Sequence, residues 1–435
     1  MERAYRIYQR SIFRYAPVSY RGHRRKGFGQ VKKREFQAKG IKLRNNRRSK
    51  RTIQTINGPI TYSRTVLIPD GQESKSALFE ATHSKKVIPL DDALGLSHLP
   101  FKMTPALMLR CAYWAQNQCS YQAAENVMRD TYGISVNDDT IRLVTNYIGS
   151  IVFREDCRRT DSRLDELDSG KAIFTHKKDG VLYIETDGAA LNTRHRNDEG
   201  STWRENKLGV VYSSDNIHYW RNKKGEREHR ITKREYVSYI GSSDDFKRHL
   251  YRCAVDNGYG EYKETVVLSD GAAWIANIAK ELFPDAQHIL DLYHLKENVY
   301  DFAKNKFSFD ENLYVPWAKK VNGLLEDGKA DEVLAKLDQD EKYPNCVNLY
   351  HYITEHKEHI NYPTYREKGY FCGSGAIESG NKIVLQKRLK QAGMRWEPET
   401  AQYLLTLKSK YESDQWQKDV VEYVLQHLQK SLQKI

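Results

Sequence analysis

Two carboxylates in this chain occupy matching settings. Asp187 closes the apolar run VLYIETDG and Asp270 closes ETVVLSDG, so each arrives at the C-terminal end of a strand and is followed by glycine. In an open α/β sheet that edge is where ligands bind. Taken singly, each Asp-Gly is a turn signal after a strand. As a matched pair on neighbouring strands, the two would repel unless a cation lay between them. Hard oxygen donors with open positions suit Mg²⁺ or Mn²⁺, and two such ions activate an attacking oxygen and stabilise a leaving one. A third acid is expected from a helix packed over the same edge. The segment GSGAIESGNK supplies it: Gly373-Ser374-Gly375 makes a tight entry and Glu378 falls in the first helical turn. Asn381 and Lys382 follow at i+3 and i+4, on the same helix face. An exposed Glu378–Lys382 ion pair is the plainer alternative. The glycine-rich entry and the basic residues Lys387, Arg388, Lys390 and Arg395 favour a helix lying along DNA.

Positioning these residues requires a sheet. VLYIETDG, KLGVVYSS and EYVSYIGS read as three strands with turns or charged segments between them. SDDFKRHLYRCAVDNG is a helix with a Ser-Asp cap and an Asn257-Gly258 stop. ETVVLSDG is a fourth strand, AAWIANIAKELF a helix, and AQHILDLYH a fifth strand entering another helix. The order β-β-β-α-β-α-β predicts an α/β fold in which a meander feeds parallel right-handed crossovers, with the first and fourth strands as neighbours. Residues 296–366 read as helical with no clear strand, and a final helix pair covers about 376–390 and 398–432.

Upstream, two β-prone runs flank Asn57-Gly58, a hairpin signal. The segment 105–149 reads as three helices. The second is capped by Ser120 and stopped by Gly133, and the third begins at Asp139. Helix, glycine turn and helix outline a helix-turn-helix, with Asp139–Arg142 as the surface that would read DNA; small helical hairpins share this outline. Charge is concentrated here. Residues 1–52 carry a net +16, eighteen Lys or Arg less Glu2 and Glu35, which leaves −3 of the chain's +13 for the rest. Such asymmetry suits a polyanion, and Tyr5, Tyr8, Tyr15, Tyr20 and Phe28 interleave with the charge. Arg24, Arg25, Arg47 and Arg48 are the candidate phosphate ligands; a solvated basic tail is the alternative. Six cysteines are scattered without zinc or CxxC spacing and read as reduced thiols. Mean hydropathy of −0.75 and the absence of an apolar run of about eighteen residues argue against a membrane span. The arginine-bearing N-terminus is unlike a secretory signal. A cytoplasmic, nucleoid-associated protein is expected. The expected divisions are 1–75 (basic arm with hairpin), 76–155 (helix-turn-helix-like), 156–300 (first part of the core), 301–366 (helical insertion) and 367–435 (the Glu378 helix and C-terminal helices).

The segments SDGAAWI, DLYHLKENV and GSGAIESGNK…RLKQAGMRW, with LRNNRRSKRTIQTINGPITYSRTV upstream, resemble the transposases of ISLre-type and ISKra-type bacterial insertion sequences, related in pattern to the Mutator-like group. The resemblance spans nearly the whole chain. It implies an RNase H-like mixed sheet interrupted by a helical insertion between Asp270 and Glu378. It also implies an acidic triad of Asp187, Asp270 and Glu378 holding two Mg²⁺ or Mn²⁺ ions. The implied activity is metal-dependent cleavage at terminal inverted repeats and strand transfer into target DNA, by a homodimer or larger assembly. Asp291-Leu-Tyr-His294 matches the (C/D)xxH signature of such enzymes. His294 then orients the scissile strand or a metal ligand, or else Asp291 merely caps a helix and His294 fills its first turn. Asn381 is a supporting residue, and Lys382, Arg388 and Arg395 are candidate phosphate contacts. Trp274 and Met394-Arg395-Trp396 suit either packing or DNA. A junction-resolving or repair nuclease needs the same three acids, and a domesticated DNA-binding protein needs none of them.

Overall fold

The computed structural model describes residues 25–433, apart from 98, 172–173 and 199. Arg24, the side chain of Arg25, and Tyr5, Tyr8, Tyr15 and Tyr20 lie outside what it describes. The chain divides into two compact units, residues 1–152 with 415–435, and residues 153–414.

In the first unit the described part of the basic run forms a helix, Arg25–Ala38, and then enters a ribbon. Leu43–Thr55 (β1) and Gly58–Pro69 (β2) pair antiparallel about the expected turn, where Gly58 adopts φ +96°. β1 begins well before Thr52, so Arg47 and Arg48 stand exposed on a strand. Beneath it Phe36, Ile41, Leu67, Leu78 and Val87 form a small core. The Asp91 carboxylate, 1% exposed, is neutralised by Arg51 at 2.6 Å and by Arg64, and accepts from the Tyr62 hydroxyl at 2.6 Å. Two guanidiniums and a hydroxyl on one acid offset its desolvation.

Helices Pro105–Asn117 and Tyr121–Tyr132 follow. Ser120 Oγ accepts from Ala123 N at 3.0 Å, and Gly133 closes the second helix at φ +64°, as expected. The third helix is longer than its sequence suggests, Asp138–Asp168. Gly149 does not end it: an interior glycine costs only about 1 kcal/mol, which burial of Ile141, Val144, Ile148, Ile151 and Val152 outweighs. The expected terminal helix 398–432 is instead two. Pro398–Glu412 belongs to the second unit, and the helical stretch from Trp416 to Gln433 belongs to the first, with Asp414 at φ +57° breaking the run.

The second unit is built on a five-stranded mixed sheet. Lys178–Asn192 (β3) and Trp203–Ser213 (β4) pair antiparallel. Ile217–Arg221 (β5) and Arg227–Ile231 (β6) then form a separate two-stranded ribbon within a stretch expected to be turn. Glu235–Ile240 (β7) returns to pair with β4. Tyr262–Ser269 (β8) pairs parallel with β3, and Gln287–Leu290 (β9) parallel with β8, giving the order β7-β4-β3-β8-β9. Helix Ser243–Asp256 closes one sheet face with Leu182, Ile184, Val211, Val237, Phe246 and Leu250 in its core. The span 292–367 contains helices and no strand among the described residues, in line with the expected helical block. No described helix is long and apolar enough to cross a membrane.

His249, on the helix Ser243–Asp256, is buried, stacked on Tyr239 (5.2 Å between rings) and bonded to Thr160 Oγ1 at 3.1 Å. Burial, and then the charge of Arg252, push its pKa down to about 4. A depressed histidine contributes stability that is present above its unfolded value near 6.5 and is lost as pH falls toward 4. The stability advantage of the wild type over His249→Gln should therefore shrink by about 2–3 kcal/mol between pH 7 and pH 4.5. Urea unfolding of both proteins at the two pH values measures it, and a pH-independent gap would show that this ring is not held neutral.

Candidate active site

The β3–β8 pairing sets the site. Its last pair is Glu185 with Leu268, so Asp187 and Asp270 stand two residues farther along each strand, at the same level on adjacent chains. Asp187 is not at the end of β3 as the sequence suggested. β3 continues to Asn192 on β4, and only its pairing with β8 stops short of Asp187. β9 ends one step away: Asp291 N donates to Ser269 O at 2.7 Å, so a third acid reaches the same edge.

Asp187 is half-buried. Its Oδ1 accepts from Gly188 N at 2.7 Å, and its Oδ2 accepts from Asn381 Nδ2 at 2.5 Å. Burial first, then the charge of Asp270, raises its pKa, while His294 works the other way. The two aspartates are thus close enough to feel each other's charge. Asp270 Oδ1 accepts from Ala272 N at 2.8 Å, holding the turn into helix Ala273–Leu282. Gly271 in that turn has φ +94°, and a Cβ there would lie about 3.0 Å from His356 and Leu290.

Asp291 caps helix Leu292–Lys306, accepting from His294 N at 2.7 Å, and its other oxygen accepts from Ser374 N. Burial would raise this acid, yet the hydrogen bonds from His294 and Ser374 hold it below the ordinary carboxylate value. His294 Nδ1 lies 3.2 Å from Asp291 Oδ1, and that bond raises the imidazole to about 9 against the opposing effect of burial. The capping reading of this pair is met, since Asp291 caps the helix and His294 lies in its first turn, where its ring feels the charges of Asp291 and Asp270.

Glu378 rides on helix Gly375–Gly380, which continues as a π-helical turn Asn381–Gln386. What fastens this helix carries no signal in the local sequence. Glu185, buried at 0% exposure two residues before Asp187 and on the same sheet face, accepts from Tyr212 OH at 2.6 Å and from Ile377 N at 2.9 Å. Burial drives its pKa up to about 7. Gly380 lets the helix lie close, since a Cβ there would come 2.7 Å from Tyr236. With Asp291 on Ser374, Glu185 on Ile377 and Asn381 on Asp187, the helix is bound to the edge at three points. Glu378 itself is exposed, and its charge is felt at Tyr293 after that of Glu297. Among the described residues no group of three His, Cys, Asp or Glu side chains lies close enough to hold a metal ion. The structure brings Asp187, Asp270, His294 and Asn381 together and leaves Glu378 on the adjoining turn.

Of the candidate phosphate ligands, Lys382 and Arg395 are exposed. Arg388 is not: at 1% exposure its guanidinium lies over the ring of Trp396, 5.1 Å from the centroid, so it packs the core instead of a phosphate. Trp396 is buried, with Nε1 donating to Leu389 O at 2.9 Å. Trp274 packs edge-on to Phe246.

Replacing Glu185 by Ala would leave Ile377 N–H and Tyr212 O–H buried without their acceptor, at about 2–4 kcal/mol. Hydrogen exchange should rise at residues 374–381 before it rises in β3, which a peptide-resolved exchange experiment on the variant reads directly. Uniform acceleration throughout the sheet would instead mean that Glu185 does not specifically hold this helix.

No curated protein matches this chain. A family model does, over residues 33–424, which takes in both units, the sheet edge and the helix of Glu378: the chain belongs to the uncharacterised protein family UPF0236.

Proposed function

We propose that the chain is a DNA transposase of the Asp-Asp-Glu type, with an RNase H-like sheet and its chemistry at the edge formed by Asp187 and Asp270. The observation that carries the reading is the register of these carboxylates on adjacent parallel strands, with the helix of Glu378 tied to one of them through Asn381. The strand order β7-β4-β3-β8-β9 supports the fold assignment. Two half-buried carboxylates that repel each other would gain from a hard divalent cation, and Glu378, exposed on the adjoining turn, would add a third oxygen only by moving in toward them. Bound there, Mg²⁺ or Mn²⁺ would act as a Lewis acid and lower the pKa of a water molecule.

In the reaction proposed, water attacks a terminal phosphodiester, the P–O3′ bond breaks, and the strand is left with a 3′-OH and a 5′-phosphate. The 3′-OH then attacks a target phosphodiester in the same site. The residues around the edge serve this by position. Asp291 holds the Ser374 turn and keeps His294 protonated, and His294 offsets part of the carboxylate charge that a phosphate would meet. Lys382 and Arg395, with Arg47 and Arg48 on β1, are exposed cations available for backbone phosphates, which position DNA without reading its sequence. Joining two ends calls for at least two copies of the chain on DNA.

Purified protein, DNA carrying the sequences that flank the gene, and Mg²⁺ or Mn²⁺ make the test. Cleavage should require the ion and fall at least about a thousand-fold in Asp187→Asn and in Asp270→Asn, the loss expected when several kcal/mol of charge stabilisation goes. Mobility shift of the same DNA should stay within about two-fold. Full cleavage by either variant would falsify the reading. Cleavage without preference for the flanking sequences would point to a nuclease.

A further inference from the structure

We infer that the β5–β6 ribbon is a stacking platform for an unpaired DNA strand, seated over Tyr183 on β3, four residues before Asp187. The inference rests on the DNA reading above for its choice of polymer, and on the ribbon's own residues for its chemistry. Residues 217–234 carry seven Lys or Arg and two Glu, a net +5 in eighteen residues. The cross-strand register sorts the side chains onto two faces. On one, Tyr219 lies opposite His229. The His229 ring stacks on Phe371 at 4.7 Å and 25°, and Phe371 lies 5.2 Å from Tyr183 of β3. Phe371 leads into Cys372–Ser374, the entry to the helix of Glu378, so this face seats the ribbon on the end of β3 that precedes Asp187 and against the segment that leads to the Glu378 helix.

The opposite face carries His218 and Trp220, with rings 6.0 Å apart and 23° from parallel, both exposed, with Arg230 across from His218 and Glu228, which accepts from the Asn222 amide, across from Trp220. Exposed Lys223 and Lys224 follow at the tip. A two-stranded ribbon alone is marginally stable in water, and turning its tryptophan outward forgoes burial that would have secured it. Flat rings flanked by cations are what a nucleic-acid strand binds when its bases are free to stack and its phosphates need neutralising. A duplex hides its base faces in its own stack and can use only the cations. The chemistry therefore selects an unpaired strand, such as one opened near a cleavage point.

The test uses the full chain without divalent ion, so that no cleavage intervenes, and measures by fluorescence anisotropy the affinity for a labelled twelve-nucleotide DNA strand and for its duplex. Trp220→Ala should weaken binding of the single strand about ten-fold and of the duplex less than two-fold, while Trp220→Phe keeps most of the single-strand affinity. Lys223→Ala with Lys224→Ala should weaken both and flatten their salt dependence. Unchanged single-strand affinity in Trp220→Ala, or equal losses for strand and duplex, overturns the inference. Either of those results leaves ion-dependent cleavage and its dependence on Asp187 untouched, and a failure of cleavage leaves the stacking result standing.

Discussion

The parallel pairing of β3 with β8 is the constraint on which the site depends. Side chains alternate across a strand, so the last bonded pair, Glu185 with Leu268, fixes which face and which level the next residues occupy. A slip of one residue would turn Asp187 to the opposite face, among the apolar contacts of Leu182 and Ile184, and separate it from Asp270. In the register observed, two like charges share an edge. The protein relieves that repulsion with donors: Gly188 N–H and the Asn381 amide on Asp187, Ala272 N–H on Asp270, and nearby the ring of His294, whose pKa its bond to Asp291 raises.

The same register places a second acid below the first. Glu185 is a costly residue to bury, and its position makes sense only through what it holds. It and Asp291 grip the backbone at Ile377 and Ser374, three residues apart, on the turn that precedes Glu378. Both grips are backbone bonds, so they fix the path of the chain and leave the Glu378 side chain outside, on the exposed part of the turn. Gly380 then allows the helix down onto Tyr236 and Leu208.

Much of this was legible. The strand order, the adjacency of the first and fourth strands, the caps at Ser120 and Asp291, and the turn at Asn57-Gly58 follow from local signals that the tertiary structure respects, while the Ser-Asp cap expected at Ser243 is made one residue earlier by Ser242. The misses share a cause, which is that the deciding partner is distant in sequence. Glu185 reads as a polar interruption of VLYIETDG, and its partner Ile377 is far along the chain. Arg388 sits in a basic run and suggests a surface, yet Val384, Leu385, Arg388 and Leu389 recur at helical spacing and are all buried. That stripe was the available signal, and Trp396 makes it tolerable by covering the guanidinium. The β5–β6 ribbon escaped because IHYWR and REHRI are polar on both faces, so no apolar alternation marked them.

Charge separates the two tasks such a chain would have to perform. An edge carrying Asp187 and Asp270 would repel a phosphate backbone, so on the proposed reading attraction to DNA would come from elsewhere in the molecule. Positive charge lies outside the edge: a net +16 in the first 52 residues, +5 in the ribbon, and exposed Lys382, Lys387, Lys390 and Arg395 beyond the Glu378 turn. Exposed cations act through counterion release and weaken steeply with salt. The half-buried carboxylates are screened much less, because part of the field between them runs through protein. Binding and chemistry would then respond to ionic strength by different laws, one set by the periphery and the other by the register of two strands.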